Sequence, residues 1–255
     1  MLSAVEVFNL GPEERKELIY SRANVVSEDD EIEVSRKLSG VINSFAEDYF
    51  DLLNESDQSQ ANGSVLINEN LSRAISSEIA AFKPLAVEKL RKSTPNREQI
   101  VAAAKNIYEL AGAVKLAGAN KATRNLSTTM GLLWERIANI SPHAINPEAE
   151  FNLKIKGVDL ISKNIHNRNI EYQQLKTKRD TLTGSQKGRS VSELEIHDHP
   201  IFCTCFALGP WTFNDPNIPR VSGTEFWSRI GIDYSIFESF VKTLILELED
   251  VFISL

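Results

Sequence analysis

The chain has 255 residues, of which 42% are hydrophobic and 25% charged, a composition that excludes collagen-like, low-complexity and largely disordered classes. Two cysteines one residue apart, Cys203 and Cys205, cannot staple distant segments, which excludes a disulfide scaffold and suggests a reducing compartment. The net charge of -7 argues mildly against a nucleic-acid partner; no apolar run approaches a membrane span, and the N-terminus lacks a signal-type apolar core, so the expectation is a soluble cytoplasmic protein with no membrane partner.

The first half predicts helices. Ile32, Val34, Leu38, Val41, Ile42, Phe45, Tyr49 and Leu52 recur at helical spacing, and the polar run 54–63 reads as the loop that ends that helix. Helical patterns resume over 65–92. Ser93-Thr94-Pro95 breaks them, Asn96 with Gln99 three residues on suits a helix start, and 97–118 is rich in Ala, Leu and Lys. Another helix is expected over 125–140, closed by Pro142 and Pro147.

The period then changes. Residues 151–161 alternate apolar and polar as a half-buried strand does, 163–169 reads as a hairpin loop, and 170–177 as a second strand. Residues 183–188 read as loop and 191–197 as a short helix capped by Ser190. The apolar run 201–208 suits a buried central strand, and 210–219 is turn-rich. A short helix opening at Ser222 or Thr224 carries Phe226 and Trp227, and a final helix covers 234–252. The expected fold class is α/β in the mixed α+β sense: a helical region 1–120 packed on a core 121–255 with a mixed central sheet flanked by helices, in one compact unit.

Charge is unevenly distributed. Residues 1–60 hold 14 acidic and 5 basic side chains, whereas 151–190 hold nine basic and three acidic ones, so a basic segment able to hold phosphate sits inside an acidic chain. Within that segment Gln174 and Lys176 share one face of a strand of period two, and a hairpin around 163–169 brings Asp159 near both. An acid, an amide oxygen and an amine then converge, a set suited to a divalent cation and a water beside a phosphate. Asp159 would bind the metal, with further oxygens from Gln174 and the Leu175 backbone carbonyl. Lys176 would orient and help deprotonate the water or neutralise charge building on the phosphate.

On Gly157-Val158-Asp159 and Tyr172-Gln173-Gln174-Leu175-Lys176 the chain resembles the PD-(D/E)xK nuclease superfamily, most closely type II restriction endonucleases. The resemblance implies an acidic residue on the helix before the first strand, a role that falls on Glu135, and the segment order over 125–208 is similar to an α-β-β-β-α-β core with one strand not identified. It departs in two places: Val158 stands where the family has Pro, and Gln174 where it has a second acid. What it implies is a Mg²⁺-dependent, sequence-specific double-stranded DNA endonuclease leaving 5′-phosphate and 3′-hydroxyl ends, acting as a homodimer, with a cognate DNA methyltransferase as its genetic companion. The alternatives are another nuclease of that superfamily (repair, junction-resolving or modification-dependent) and a non-enzymatic helical DNA-binding or interaction protein.

Beyond the strand pair, Lys178, Arg179, Gln186, Lys187 and Arg189 suit a loop that meets phosphates and base edges. His197, His199, Cys203 and Cys205 present a zinc-like pattern, but two of the four sit in an apolar strand and read as core. Trp211, Phe213, Phe226 and Trp227 are expected in the core rather than stacking on bases. Gly-rich phosphate loops and a serine elbow are absent, which leaves kinase, dehydrogenase and hydrolase readings without support.

Overall fold

The computed structural model describes residues 2–60, 64–93, 101–102 and 104–255, with side chains of 57–68 outside the description. The chain forms two compact units, each discontinuous in sequence: one comprises residues 1–71 and 135–234, the other 72–134 and 235–255. The helical first half is therefore shared between them rather than forming one region ending near residue 120.

The first unit holds a five-stranded mixed sheet, in the order β1 (Ala144–Ile145), β2 (Leu160–Lys163), β3 (Ile170–Lys176), β4 (Pro200–Thr204) and β5 (Arg220–Ser222). The first three form an antiparallel meander, with Ala144 opposite Ser162 and Leu160 opposite Gln173; β4 runs parallel to β3 and β5 parallel to β4. The parallel step needs a crossover, supplied by helix α9 (Gly184–Leu194). Four helices open the chain: α1 (Ala4–Phe8), α2 (Pro12–Ala23), α3 (Glu31–Asn43) and α4 (Ala46–Gln60). Asp30 caps α3 by accepting the amides of Ile32 and Glu33. One apolar core joins these helices to the sheet through Leu38, Ile42, Phe45 and Tyr49 with Phe151, Ile161 and Tyr172. Arg15 adds a polar tie. Its guanidinium donates to the carbonyls of Val7 and Phe8 at 2.9 Å and pairs with Glu150 at 2.5 Å.

In the second unit lie most of α5 (Ser64–Arg91), all of α6 (Ile107–Leu110), most of α7 (Val114–Ala138) and nearly all of α11 (Tyr234–Ile253). Trp134 meets Phe237 edge to face at 5.6 Å. No described helix is long and apolar enough to cross a membrane.

The structure corrects several expected boundaries. The run 54–60 continues α4 instead of ending it, because Glu, Ser and Gln tolerate a helix and no Gly or Pro intervenes before Gly63. The predicted helix 97–118 is interrupted: Gly112 takes φ +65 beyond α6, and α7 begins afresh at Val114. The proposed start at Asn96 lies outside the described residues. The predicted strand 151–161 shrinks to Leu160–Lys163, because Asn146 caps a short helix α8 (Pro147–Phe151) that ends at Asn152 with φ 49. Its alternation is nonetheless real: Phe151, Leu153, Ile155 and Val158 are all buried along an irregular segment. Residues 184–188 are the first turns of α9, not a loop, and β1 and β5 are strands that sequence periodicity misses. The short helix α10 (Thr224–Arg229) follows β5 with Gly223 at its N-cap.

Candidate functional site

Three local features assemble the site. Gly157 takes φ +73 two residues before Asp159, and a Cβ there would lie 2.7 Å from Cβ of Glu193. Only glycine lets the segment entering β2 pass so close to α9. The amide of Asp159 then donates to the Gln173 carbonyl at 2.9 Å, which fixes Asp159 against β3. Finally, α7 ends at Ala138, delivering Glu135 in its last turn, where Asn146 Nδ2 donates to Glu135 Oε2 at 3.4 Å.

The expected convergence is present. The Leu175 amide donates to Asp159 Oδ2 at 2.7 Å, and Lys176 Nζ donates to the same oxygen at 3.3 Å. Both donors fall on Oδ2, so Oδ1 has none among the described residues. Because N–H and C=O of one residue point to the same side of a strand, the Leu175 carbonyl is directed to the Asp159 side as well. Asp159 and Lys176 are about a quarter exposed, at 28% and 26% of their side-chain surface, so their pair is reachable from solvent. Gln174 shares the Lys176 face and is buried, yet its Oε1 has no hydrogen-bond partner among the described residues. A buried amide oxygen left unpaired costs roughly 1–3 kcal/mol, so it calls for a donor or a cation.

Asp159 and Gln174 line a polar cleft of about 310 Å³, bounded also by Glu135, Asn146, Arg189 and Glu193. Carboxylates crowd there. Burial, and then the charge of Asp159, push the Glu135 carboxyl up to about 7, against the opposing pull of Lys176. Among the described residues no three His, Cys, Asp or Glu side chains form a metal-holding group. A cation here would rely on Asp159, Gln174 Oε1 and the Leu175 carbonyl, with Glu135 nearby, a set of hard oxygens suited to Mg²⁺.

The basic candidates separate into different conditions. Lys178 is paired with Asp180 at 3.1 Å and Arg189 with Glu193 at 2.8 Å. Gln186 spends its Oε1 on the start of α9, accepting from the Thr183 amide at 3.0 Å. Lys187 is half-buried on α9. Arg179 has no acidic partner among the described residues; it donates to Ser222 Oγ and lies over the Trp211 ring.

The zinc-like set does not converge. His197 has both ring nitrogens engaged, Nδ1 with Ser39 Oγ and Nε2 with the Lys156 carbonyl, and stacks on Tyr172. Cys203 and Cys205 are free, fully buried thiols whose pKa values burial raises. Phe213, Phe226 and Trp227 are core, but Trp211 is partly exposed. Sequence reasoning missed Glu193, Asn146 and Arg220. Asn146-Pro147 is a readable helix start; Glu193 and Arg220 carry no such signal. No family model, curated protein or solved structure matches this chain.

Proposed function

We propose that this protein is a Mg²⁺-dependent DNA endonuclease with a PD-(D/E)xK-like core, of the restriction type. The observation that carries the reading is the Asp159 carboxylate, held through Oδ2 by the Leu175 amide and the Lys176 amine, beside the unpartnered Gln174 Oε1 in one polar cleft. The order α7-β1-α8-β2-β3-α9-β4, an antiparallel meander with one short helical insertion followed by a parallel crossover, supports it.

Asp159, Gln174 Oε1 and the Leu175 carbonyl would hold the cation, which when bound supplies Lewis-acid charge to a phosphate oxygen. The chain's own groups do the rest. The Leu175 amide orients the Asp159 carboxylate. Lys176 brings a positive charge against that carboxylate, where it can orient a water and offset negative charge growing on the phosphoryl oxygens. Glu135, with its carboxyl raised to about 7, holds or releases a proton near neutrality. Concerted cutting of both strands takes two such sites, so the reading entails a homodimer on double-stranded DNA, and a cytoplasmic enzyme whose host DNA is protected by a methyltransferase.

The test is incubation with unmethylated phage DNA and Mg²⁺, followed by sequencing of fragment ends. Discrete ends bearing 5′-phosphates are expected, with cleavage lost in Asp159→Ala and in Lys176→Ala. Intact DNA under all conditions, or normal cutting by either variant, overturns the reading.

A further inference from the structure

We infer that Arg179 and Arg220, gathered on the indole of Trp211, form a clamp for backbone phosphates of duplex DNA beside the cleft. The choice of ligand rests on the nuclease reading; the clamp itself rests on separate residues.

Arg179 follows β3 and is fixed at its backbone. Its amide donates to the Leu208 carbonyl at 3.1 Å, and its carbonyl accepts from the Thr212 amide at 3.1 Å. Its side chain crosses toward β5, where Nε and Nη2 donate to Ser222 Oγ at 3.1 and 2.7 Å. Arg220 stands two residues earlier on β5, an edge strand, and donates from Nη1 to the Phe213 carbonyl. The two guanidinium carbons lie 5.3 and 5.1 Å from the centroid of the Trp211 ring. Sharing one centroid keeps the two charges within roughly one Debye length, about 10 Å at 0.1 M salt.

Two like charges held that close, with no carboxylate paired to either among the described residues, raise the local potential and attract an anion. The neighbouring cations differ: Lys178 and Arg189 are already matched to Asp180 and Glu193. Ser222 and Phe213 occupy only part of each planar fork, leaving N–H groups in the bidentate geometry that suits a phosphodiester. Preorganisation by the ring and the hydrogen bonds removes much of the rotamer entropy a free arginine loses on binding.

Position then narrows the role. Arg179 is three residues past Lys176, so their Cα atoms are at most ~11 Å apart. A DNA strand advances about 3.4 Å per nucleotide. Because the Arg179 side chain leaves β3 toward β5, about three strand spacings or ~14 Å from β2, the clamp would hold phosphates about four or more nucleotides from the one at Asp159 and Lys176, setting the register of the strand in the cleft rather than reading its bases.

The test measures binding of a fluorescent 20-base-pair duplex in EDTA, where no cutting intervenes, across a salt series. Each phosphate contact contributes about 0.9 to the slope of log affinity against log salt, so Arg179→Gln/Arg220→Gln should lower the slope by about 1.8 for each protomer on the duplex, about 3.6 for a homodimer. Circular dichroism establishes whether the double variant is folded. A second measurement needs no variant: Trp134 and Trp227 are buried whereas Trp211 is partly exposed, so acrylamide quenching reports mainly Trp211 and should fall on adding duplex. A folded double variant with the wild-type slope overturns the clamp, as does quenching that the duplex leaves unchanged. Duplex bound with the expected slope loss but never cut in Mg²⁺ removes the nuclease and keeps the clamp. Cutting with an unchanged slope in the double variant removes the clamp and keeps the nuclease.

Discussion

Glu135→Gln should stabilise the protein at pH 8 and leave it unchanged at pH 4. The carboxyl of Glu135 is pushed from 4.5 to about 7, chiefly by burial and then by Asp159, while Lys176 opposes. A folded-state value above the unfolded one means that ionisation works against the fold. Below pH 4.5 the group is protonated in both states and contributes nothing. Between 4.5 and about 7 the unfolded chain ionises first, and above 7 the penalty is complete. At about 1.4 kcal/mol per unit, the upper bound is ~3 kcal/mol. Solvent in the cleft screens part of it, so roughly 1–2 kcal/mol is expected. The neutral amide of glutamine keeps the size and avoids the charge. For a chain of this length that gain corresponds to about 3–6 °C in melting temperature. Thermal melts of both proteins at pH 4 and pH 8 measure it. Equal gains at the two pH values, or a loss at pH 8, would refute the crowding of Glu135 by burial and Asp159. If Mg²⁺ occupies the cleft, millimolar Mg²⁺ at pH 8 should narrow the difference, since a cation offsets the same repulsion.

Two further substitutions separate function from stability. Gln174→Leu removes a buried, unpartnered oxygen, so the urea midpoint should hold or rise, by up to about 1 kcal/mol of stability, while cleavage disappears; Gln174→Glu should keep cleavage or change the preferred metal. A Leu variant that cuts normally shows that Oε1 holds nothing. On the other face of β3, Glu171 is 2% exposed and accepts from Arg229 at 2.6 Å, Asn164 at 2.8 Å and Gln173 at 3.0 Å. Glu171→Ala strips Arg229 of its buried partner, leaving only the exposed Glu225 at 3.3 Å, and should cost roughly 3 kcal/mol in urea denaturation, the low end for a broken buried pair; a loss under 1 kcal/mol would show that the network is not structural.

How far the sequence carried the fold depends on which physical signal each segment used. The strand 170–176, the hairpin before it and the helix 234–253 were legible because periodicity and turn chemistry agreed there. Residues 151–158 misled because alternation records burial, not hydrogen bonding: the segment buries every second or third side chain without a partner strand. The start of α9 was hidden by Gly184, Ser185 and Gly188, which suggest a loop, although Thr183 and Gln186 are spaced as a capping pair. A strand as short as β1, two residues, is below what any periodicity can reveal.

The candidate site divides along the same line. Strand spacing alone was enough to bring Lys176 to Asp159, because a residue beside a hairpin has few places to go. Spacing says nothing about which oxygen is used, and here both donors fall on Oδ2, one of them the backbone amide of Leu175, which no pattern of side chains records. Nor could charge counting rank the cations. Lys178, Arg179 and Arg189 are equivalent in a sum, yet two meet carboxylates and one meets an indole, and only the fold decides which. The partner that makes Arg179 distinctive, Arg220, lies 41 positions further along the chain, on a strand joined to β3 only through β4. An exposed arginine on a short edge strand has no pattern to announce it. Its significance arises from Trp211, which the sequence alone assigns to the core and the structure leaves partly open to solvent.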